Sequence, residues 1–127
     1  MDLILWRHAD AGEPVPDLAE DLQRKLTSKG EKQAARMADW LNRFLPESTR
    51  VLVSPAIRCQ QTAQALGRKF QTREALGPGG SVGTLLTLAR WPDRREPVLI
   101  VGTGRVNLSA VLSIRAKTAE ELAASLQ

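Results

Sequence analysis

Two rhythms of apolar residues run along the chain. Leu3–Trp6, Arg50–Val53 ("RVLV") and Pro97–Val101 ("PVLIV") are nearly continuous apolar runs. They are too short for helices and read as buried strands. Residues 28–45 instead repeat apolar positions at helical spacing, through Ala34, Met37, Ala38, Leu41, Phe44 and Leu45. That stripe predicts an amphipathic helix, with Thr27 as its N-cap and Pro46 as its stop. Ser54-Pro55 has the Ser-cap and Pro-first signature of a helix start. It predicts a second helix over residues 56–69, with Ile57, Ala63, Leu66 and Phe70 facing the core.

Further along, residues 82–91 are helix-compatible up to Pro92, and residues 107–114 read as helical. Thr118 and Glu121 form a capping box for a last short helix. Residues 9–21 carry Gly12, Pro14 and Pro16 and are expected to be a loop, as is the Gly77-Pro78-Gly79-Gly80 run. Short apolar strands alternating with amphipathic helices imply an α/β fold. The expected architecture is a three-layer sandwich, with a mostly parallel central sheet and helices on both faces. The 127 residues fit a single domain, 1–127, with a real core. Trp6, Trp40 and Trp91 are expected in or near that core.

Composition changes this picture little. Hydrophobic residues are 43% and charged residues 25%, ordinary for a globular protein. No apolar run reaches the length of a membrane span. The apolar segment at the start is short and flanked by Asp2 and Arg7, unlike a secretory leader, so a cytoplasmic location is expected. The net charge is +4, but the basic residues are dispersed and aromatic residues are only 4%. The densest run, "RKLTSKGEK" from Arg24, has no interleaved aromatic residue and reads as a solvated face, not a nucleic-acid site. One cysteine and one histidine cannot make a four-ligand zinc site. A cysteine-based phosphatase loop needs Arg six residues after its Cys, and Ala65 stands there. Cys59 is therefore read as a small core or semi-exposed thiol.

The chemistry collects at strand ends, where open parallel sheets bind ligands. The first strand runs into Arg7-His8, which holds the chain's one histidine. The second ends at Ser54-Pro55, with Arg58 one turn into the next helix, and the third ends at Gly102-Thr103-Gly104-Arg105. A neutral imidazole is a competent nucleophile toward phosphorus near pH 7. Guanidinium groups can neutralise phosphoryl oxygens with planar, permanently charged donors. This set points to phosphoryl transfer to His8 followed by hydrolysis. A hydrogen-bonded structural His8, with Arg7 and Arg58 as ion-pair partners of the acidic residues, fits the same spacing.

Taken together, "LILWRHADAG" (3–12), "RKLTSKGEKQAARMADWL" (24–41), "VLVSPAIRCQQTAQAL" (51–66) and "PVLIVG" (97–102) resemble the histidine phosphatase superfamily. The likeness is specifically to its short SixA-type phosphohistidine phosphatase branch, and the phosphoglycerate mutase-like fold is implied. Arg7-His8-Ala9 falls on the family's Arg-His signature. Arg24 to Gly30 falls on its Arg-x-Leu-Thr-x-x-Gly stretch, and Ser54 to Ala63 on its Ser-Pro-x-x-Arg-x-x-Gln-Thr-Ala stretch. The resemblance implies His8 as phospho-acceptor, Arg7 and Arg58 as catalytic phosphate ligands, and Arg24 as a pocket or substrate contact. It implies no metal and no organic cofactor. It also implies a substrate that is a phosphorylated protein with a phosphohistidine domain, or a small phosphomonoester.

The resemblance stops at Gly102. The family carries a second histidine in a Gly-His pair, and here Gly102 is followed by Thr103. Thr103 thus takes the substrate-binding position of that imidazole, offering one neutral hydrogen bond. Losing such a donor can cost roughly 10²–10³ in rate. The tail from Gly104 is unlike the family's, so the fold is expected to be C-terminally shortened. Three readings stay open: a phosphatase of reduced activity, a silent relative that binds phosphate or a phosphoprotein, or an ordinary enzyme with an altered carboxyl end. Asp10 and Glu13, on the loop after His8, are candidates for a general acid.

Overall fold

The computed structural model describes residues 3–77 and 97–102. Four parallel strands form one sheet: β1 (Leu3–Arg7), β2 (Arg50–Val53), β3 (Gln71–Thr72) and β4 (Val98–Gly102), in the order β1-β4-β2-β3. The last of the described strands in sequence is therefore internal to the sheet. It pairs with β1 from Leu3 opposite Val98 to Arg7 opposite Gly102, and with β2 from Arg50 opposite Val98 to Val53 opposite Val101. This explains why its run is the most continuously apolar. Val98, Leu99, Ile100 and Val101 are all buried, as expected for a strand covered on both faces.

Alternation sorts the two sheet faces. Val51, Val53, Leu99 and Val101 pack against Ala38 and Leu41 of α2 (Ser28–Phe44), its C-cap Leu45, and Ala56, Cys59, Ala63 and Leu66 in and around α3 (Ile57–Gln64). Leu52, Val98 and Ile100 face the other way and are equally buried. The architecture is the α/β fold that the alternation of strands and helices predicts.

Helix α2 begins as its sequence requires. Thr27 is extended, and its hydroxyl accepts from the Gly30 N–H at 3.0 Å. Its core stripe is narrower than the apolar pattern. Ala34, Ala38, Leu41 and Leu45 are buried, whereas Met37 and Trp40 are 42% and 54% exposed. At 100° per residue, Trp40 sits roughly 130° round the helix from that stripe. Trp40 is thus not a core residue, and Trp6 is half-buried; Trp91 lies outside the described residues.

Three further elements differ from expectation. The segment 9–21 is not all loop: α1 (Leu18–Leu22) occupies its end, capped by Asp17, whose side chain accepts from the Glu20 N–H at 3.1 Å. Gly12, Pro14 and Pro16 mask it, yet the Asp17…Glu20 spacing is a helix-start signature. Helix α3 starts one residue later than the expected 56 and ends sooner, at Gln64, with Gly67 at positive φ beyond it. Ser54 still belongs to the sheet, because its N–H donates to the Val101 carbonyl at 3.0 Å. Its hydroxyl accepts from the Ala56 N–H at 3.3 Å, and Ala56, not Ser54, is the N-cap of α3. Finally, β3 is two exposed polar residues, with no apolar signal to reveal it. The helices expected over 82–91, 107–114 and 118–126 fall outside the described residues.

Candidate active site

Parallel pairing brings the ends of β1, β2 and β4 to one edge. The His8 N–H donates to the Gly102 carbonyl at 3.1 Å, extending the ladder one residue past Arg7. Ser54 makes the equivalent bond from the other side of β4. His8 is therefore held by sheet backbone at the point where the sheet ends.

Its ring is oriented as well. His8 Nδ1 lies 2.7 Å from the Ala9 carbonyl oxygen. A carbonyl only accepts, so this bond places the hydrogen on Nδ1 and leaves the Nε2 lone pair available. The His8 pKa is lowered from 6.5, first by burial. The bond to Ala9 opposes this, and the positive charges of Arg58, Arg7 and Arg24, in that order, reinforce it. The ring is thus neutral at neutral pH, the form in which it can attack phosphorus.

The loop after His8 is pinned by residues from two helices. The Ala9 N–H donates to Thr62 Oγ1 at 3.1 Å, and that hydroxyl donates back to the Arg58 carbonyl at 2.7 Å. Gln33 accepts from the Asp10 N–H at 3.0 Å. Asp10 also takes a 2.6 Å hydrogen bond from Thr27 Oγ1, and its carbonyl accepts from the Thr27 N–H at 3.0 Å. Gly30 is required here: a Cβ at that position would run into the Asp10 carbonyl. Gln61 fixes the next segment by accepting from the Leu26 N–H at 2.7 Å.

The arginines divide. Arg7 is exposed and lines a cleft of about 840 Å³ with Trp6, His8, Ala9, Gln33, Arg36, Met37 and Trp40. Arg58 is buried and faces Asp21. Its two terminal nitrogens donate to the Asp21 carbonyl at 2.7 Å and to Asp21 Oδ2 at 3.0 Å. Its Nε is buried with no hydrogen-bond partner among the described residues. An orphaned guanidinium N–H is costly in isolation and suits an anion. Arg24 is engaged elsewhere. It donates to Asp21 Oδ1 at 2.8 Å and to the carbonyls of Ala11 at 2.8 Å and Gly12 at 3.2 Å. The solvated-face reading thus fails at Arg24, whose side chain is 14% exposed.

Asp21 is the organising residue that the sequence pattern did not single out. Burial opposes its ionisation, but hydrogen bonds from Arg24 and the Val15 N–H, with the charges of Arg58 and Arg24, outweigh it and lower its pKa. Spacing likewise gives Thr62 no role of its own. Its place in the Gln-Thr-Ala stretch was the available signal. Thr103 lies outside the described residues. Glu13 is exposed on the loop. Cys59 is buried in the core, and burial pushes its thiol up to about 11. Among the described residues no cluster of three or more His, Cys, Asp or Glu side chains could hold a metal ion. No described helix is long and apolar enough to cross a membrane.

The fold is a parallel α/β sheet with His8 at one edge, Arg7 beside it in the cleft and the charge of Arg58 acting on its ring. The family model of the histidine phosphatase superfamily (branch 1) matches residues 3–77, and the chain belongs to that family. Among curated relatives, the phosphohistidine phosphatase SixA of Escherichia coli is 40% identical over 89 residues, covering 65% of this chain and 53% of the relative. An uncharacterised protein of Picosynechococcus is 35% identical over 107 residues, covering 80% of this chain and 64% of the relative. The chain therefore spans between half and two thirds of their lengths. Among solved structures, a SixA protein from Nakamurella multipartitia superposes with a TM-score of 0.66 at 36% identity, covering 80% of this chain and 58% of that one. A protein histidine phosphatase SixA complexed with tungstate superposes with a TM-score of 0.65 at 28% identity, covering 80% and 69%.

Proposed function

We propose that the chain is a phosphohistidine phosphatase acting through a His8 phospho-enzyme, on a phosphorylated protein or a small phosphomonoester. The observation that carries this reading is the His8 ring. It is fixed by Ala9 at Nδ1, kept neutral by burial and nearby positive charge, and lies at a cleft with Arg7. Nε2 attacks phosphorus, the P–N or P–O bond to the leaving group breaks, and the leaving imidazole or alkoxide takes up a proton. Water then cleaves the phosphorus–Nε2 bond, releasing phosphate and restoring the neutral ring. Arg7 and the Nε–H of Arg58 serve as phosphate ligands, while Arg24 adds charge from behind the loop and Thr103 takes the place of the family's second imidazole. The relationship to SixA proteins supports the substrate class, and a cytoplasmic setting goes with it.

A second reading, binding without turnover, draws on Arg58. Each of its terminal nitrogens gives one N–H to Asp21, and its Nε–H has no partner among the described residues and is left for an anion. The two readings separate in a phosphate-release assay with a phosphohistidine-bearing phosphotransfer domain. Release that disappears in His8→Ala, with an acid-labile phospho-His8 trapped in the wild type, is the expected result. Saturable binding with no release, unchanged in His8→Ala, would establish the binding module instead.

A further inference from the structure

Arg58 extends from the first turn of α3, and a single residue of α1 holds its head group. Nη1 donates to the Asp21 main-chain carbonyl at 2.7 Å, and Nη2 donates to Asp21 Oδ2 at 3.0 Å. A guanidinium is a flat fork of five N–H donors. Bonds from two of its nitrogens to one residue fix both its plane and its rotation within that plane. The direction of the Nε–H is then fixed as well. Arg58 is 2% exposed, and close packing leaves such a side chain little room to turn.

Neutralising the Arg58 charge does not require this arrangement. A nearby carboxylate attracts a guanidinium whichever nitrogen it meets. Here the main chain and the side chain of Asp21 take different nitrogens, and Asp21 is itself locked. Its Oδ1 accepts from Arg24 Nε at 2.8 Å and from the Val15 N–H at 3.2 Å. Its carbonyl also accepts from the Arg24 main-chain N–H at 3.1 Å. Nor is the charge cancelled: one carboxylate faces two guanidiniums, so surplus positive charge remains for an anion. Of the positive charges that act on the His8 ring, that of Arg58 acts most strongly. We propose that Asp21 is a positioning residue: holding Arg58 through both its carbonyl and its carboxylate, it aims the Arg58 Nε–H at the phosphoryl group beside His8. This rests on the phosphate-ligand role proposed for Arg58 above and adds to it the residue that presets that donor. A donor fixed before the anion arrives need not be ordered on binding, which strengthens the contact.

The test measures the affinity for inorganic phosphate by calorimetry in the parent chain, Asp21→Asn, Arg58→Lys and the double variant. An Asn side chain has one oxygen to meet two guanidinium donors, so its amide group repels one of them. Arg58→Lys keeps a charge and removes the fork. Asp21→Asn is expected to weaken phosphate about tenfold or more in the parent and about twofold or less in the Arg58→Lys background. Asp21→Glu decides the question by the same criterion if Asp21→Asn does not fold, because it keeps the buried charge compensated and displaces the carboxylate by one methylene. Circular dichroism and a urea titration show that each variant is folded under the assay conditions. Equal weakening in both backgrounds overturns the proposal, since Asp21 then acts through Arg24 or through the fold at large. So does parent-like affinity in the Asp21 variant, with only the urea midpoint moved, and so does a parent that binds no phosphate. Turnover is scored separately. Coupled phosphate affinities without phosphate release remove the phosphatase reading and leave the positioning role standing, and release without coupling does the reverse.

Discussion

Arg58 and Asp21 are joined by two hydrogen bonds across 37 residues, linking the first turn of α3 to the C-terminal part of α1. The same carboxylate holds Arg24 through its other oxygen. One buried acid therefore positions two guanidiniums beside the His8 loop.

Removing that acid leaves Arg58 as an uncompensated buried charge. Asp21→Ala is expected to lower unfolding free energy by about 3–5 kcal/mol, measured by urea titration. The carboxylate's lowered pKa gives a sign for pH. Its contribution is present above the unfolded value of 3.8 and is lost as pH falls through the lower folded value. Wild-type stability should therefore fall in that acid range, and Asp21→Asn should flatten the fall.

The acid limb of kcat/KM should lie below pH 6.5, because the His8 pKa is lowered and the neutral ring is the nucleophile. Activity should stay level from pH 7 to 6.5 and decline only beneath that. Stability follows the same sign. The unfolded chain binds a proton near 6.5 before the folded one does, so folding weakens as pH drops through that interval. A limb centred above 6.5 would contradict the placement of the ring.

Thr62 joins Ala9 to Arg58 through one hydroxyl. Thr62→Val keeps the shape and leaves the Ala9 N–H without its partner. A loss of about 1–3 kcal/mol is expected, together with a drop in kcat larger than the change in KM for a small phosphate ester. Thr62→Ser should restore most of both.

Gly30→Ala drives a Cβ into the Asp10 carbonyl, which is backbone and cannot swing aside. Helix propensity alone would favour alanine by about 1 kcal/mol. The expected outcome is the reverse, a loss of at least about 1–3 kcal/mol in chemical denaturation.

Cys59 should not react with a thiol reagent such as dithionitrobenzoate in the native state. It is fully buried and its pKa is pushed up to about 11. Full reaction in urea, at the rate of global unfolding, is the expected pattern.

Some of this protein was legible in the order of its residues. Continuous apolar runs marked the strands, helical spacing marked α2, and Thr27 marked its start, because these signals depend on contacts within a few residues. The strand-end rule even brought Arg7-His8 to the edge that Gly102 and Ser54 share. Other features depended on partners distant in sequence. Asp21 reads as one more loop acid until folding sets it beside Arg24 and Arg58, where low dielectric makes their pairing obligatory. Trp40 reads as core because the α2 pattern does not say which apolar stripe the sheet will take. Ser54 reads as a helix cap, but its N–H goes to a strand almost fifty residues further on and its hydroxyl to the Ala56 N–H, and Ala56 caps α3. Local periodicity chose the elements; burial, and the need to pair each polar group within it, chose which side chains became a site.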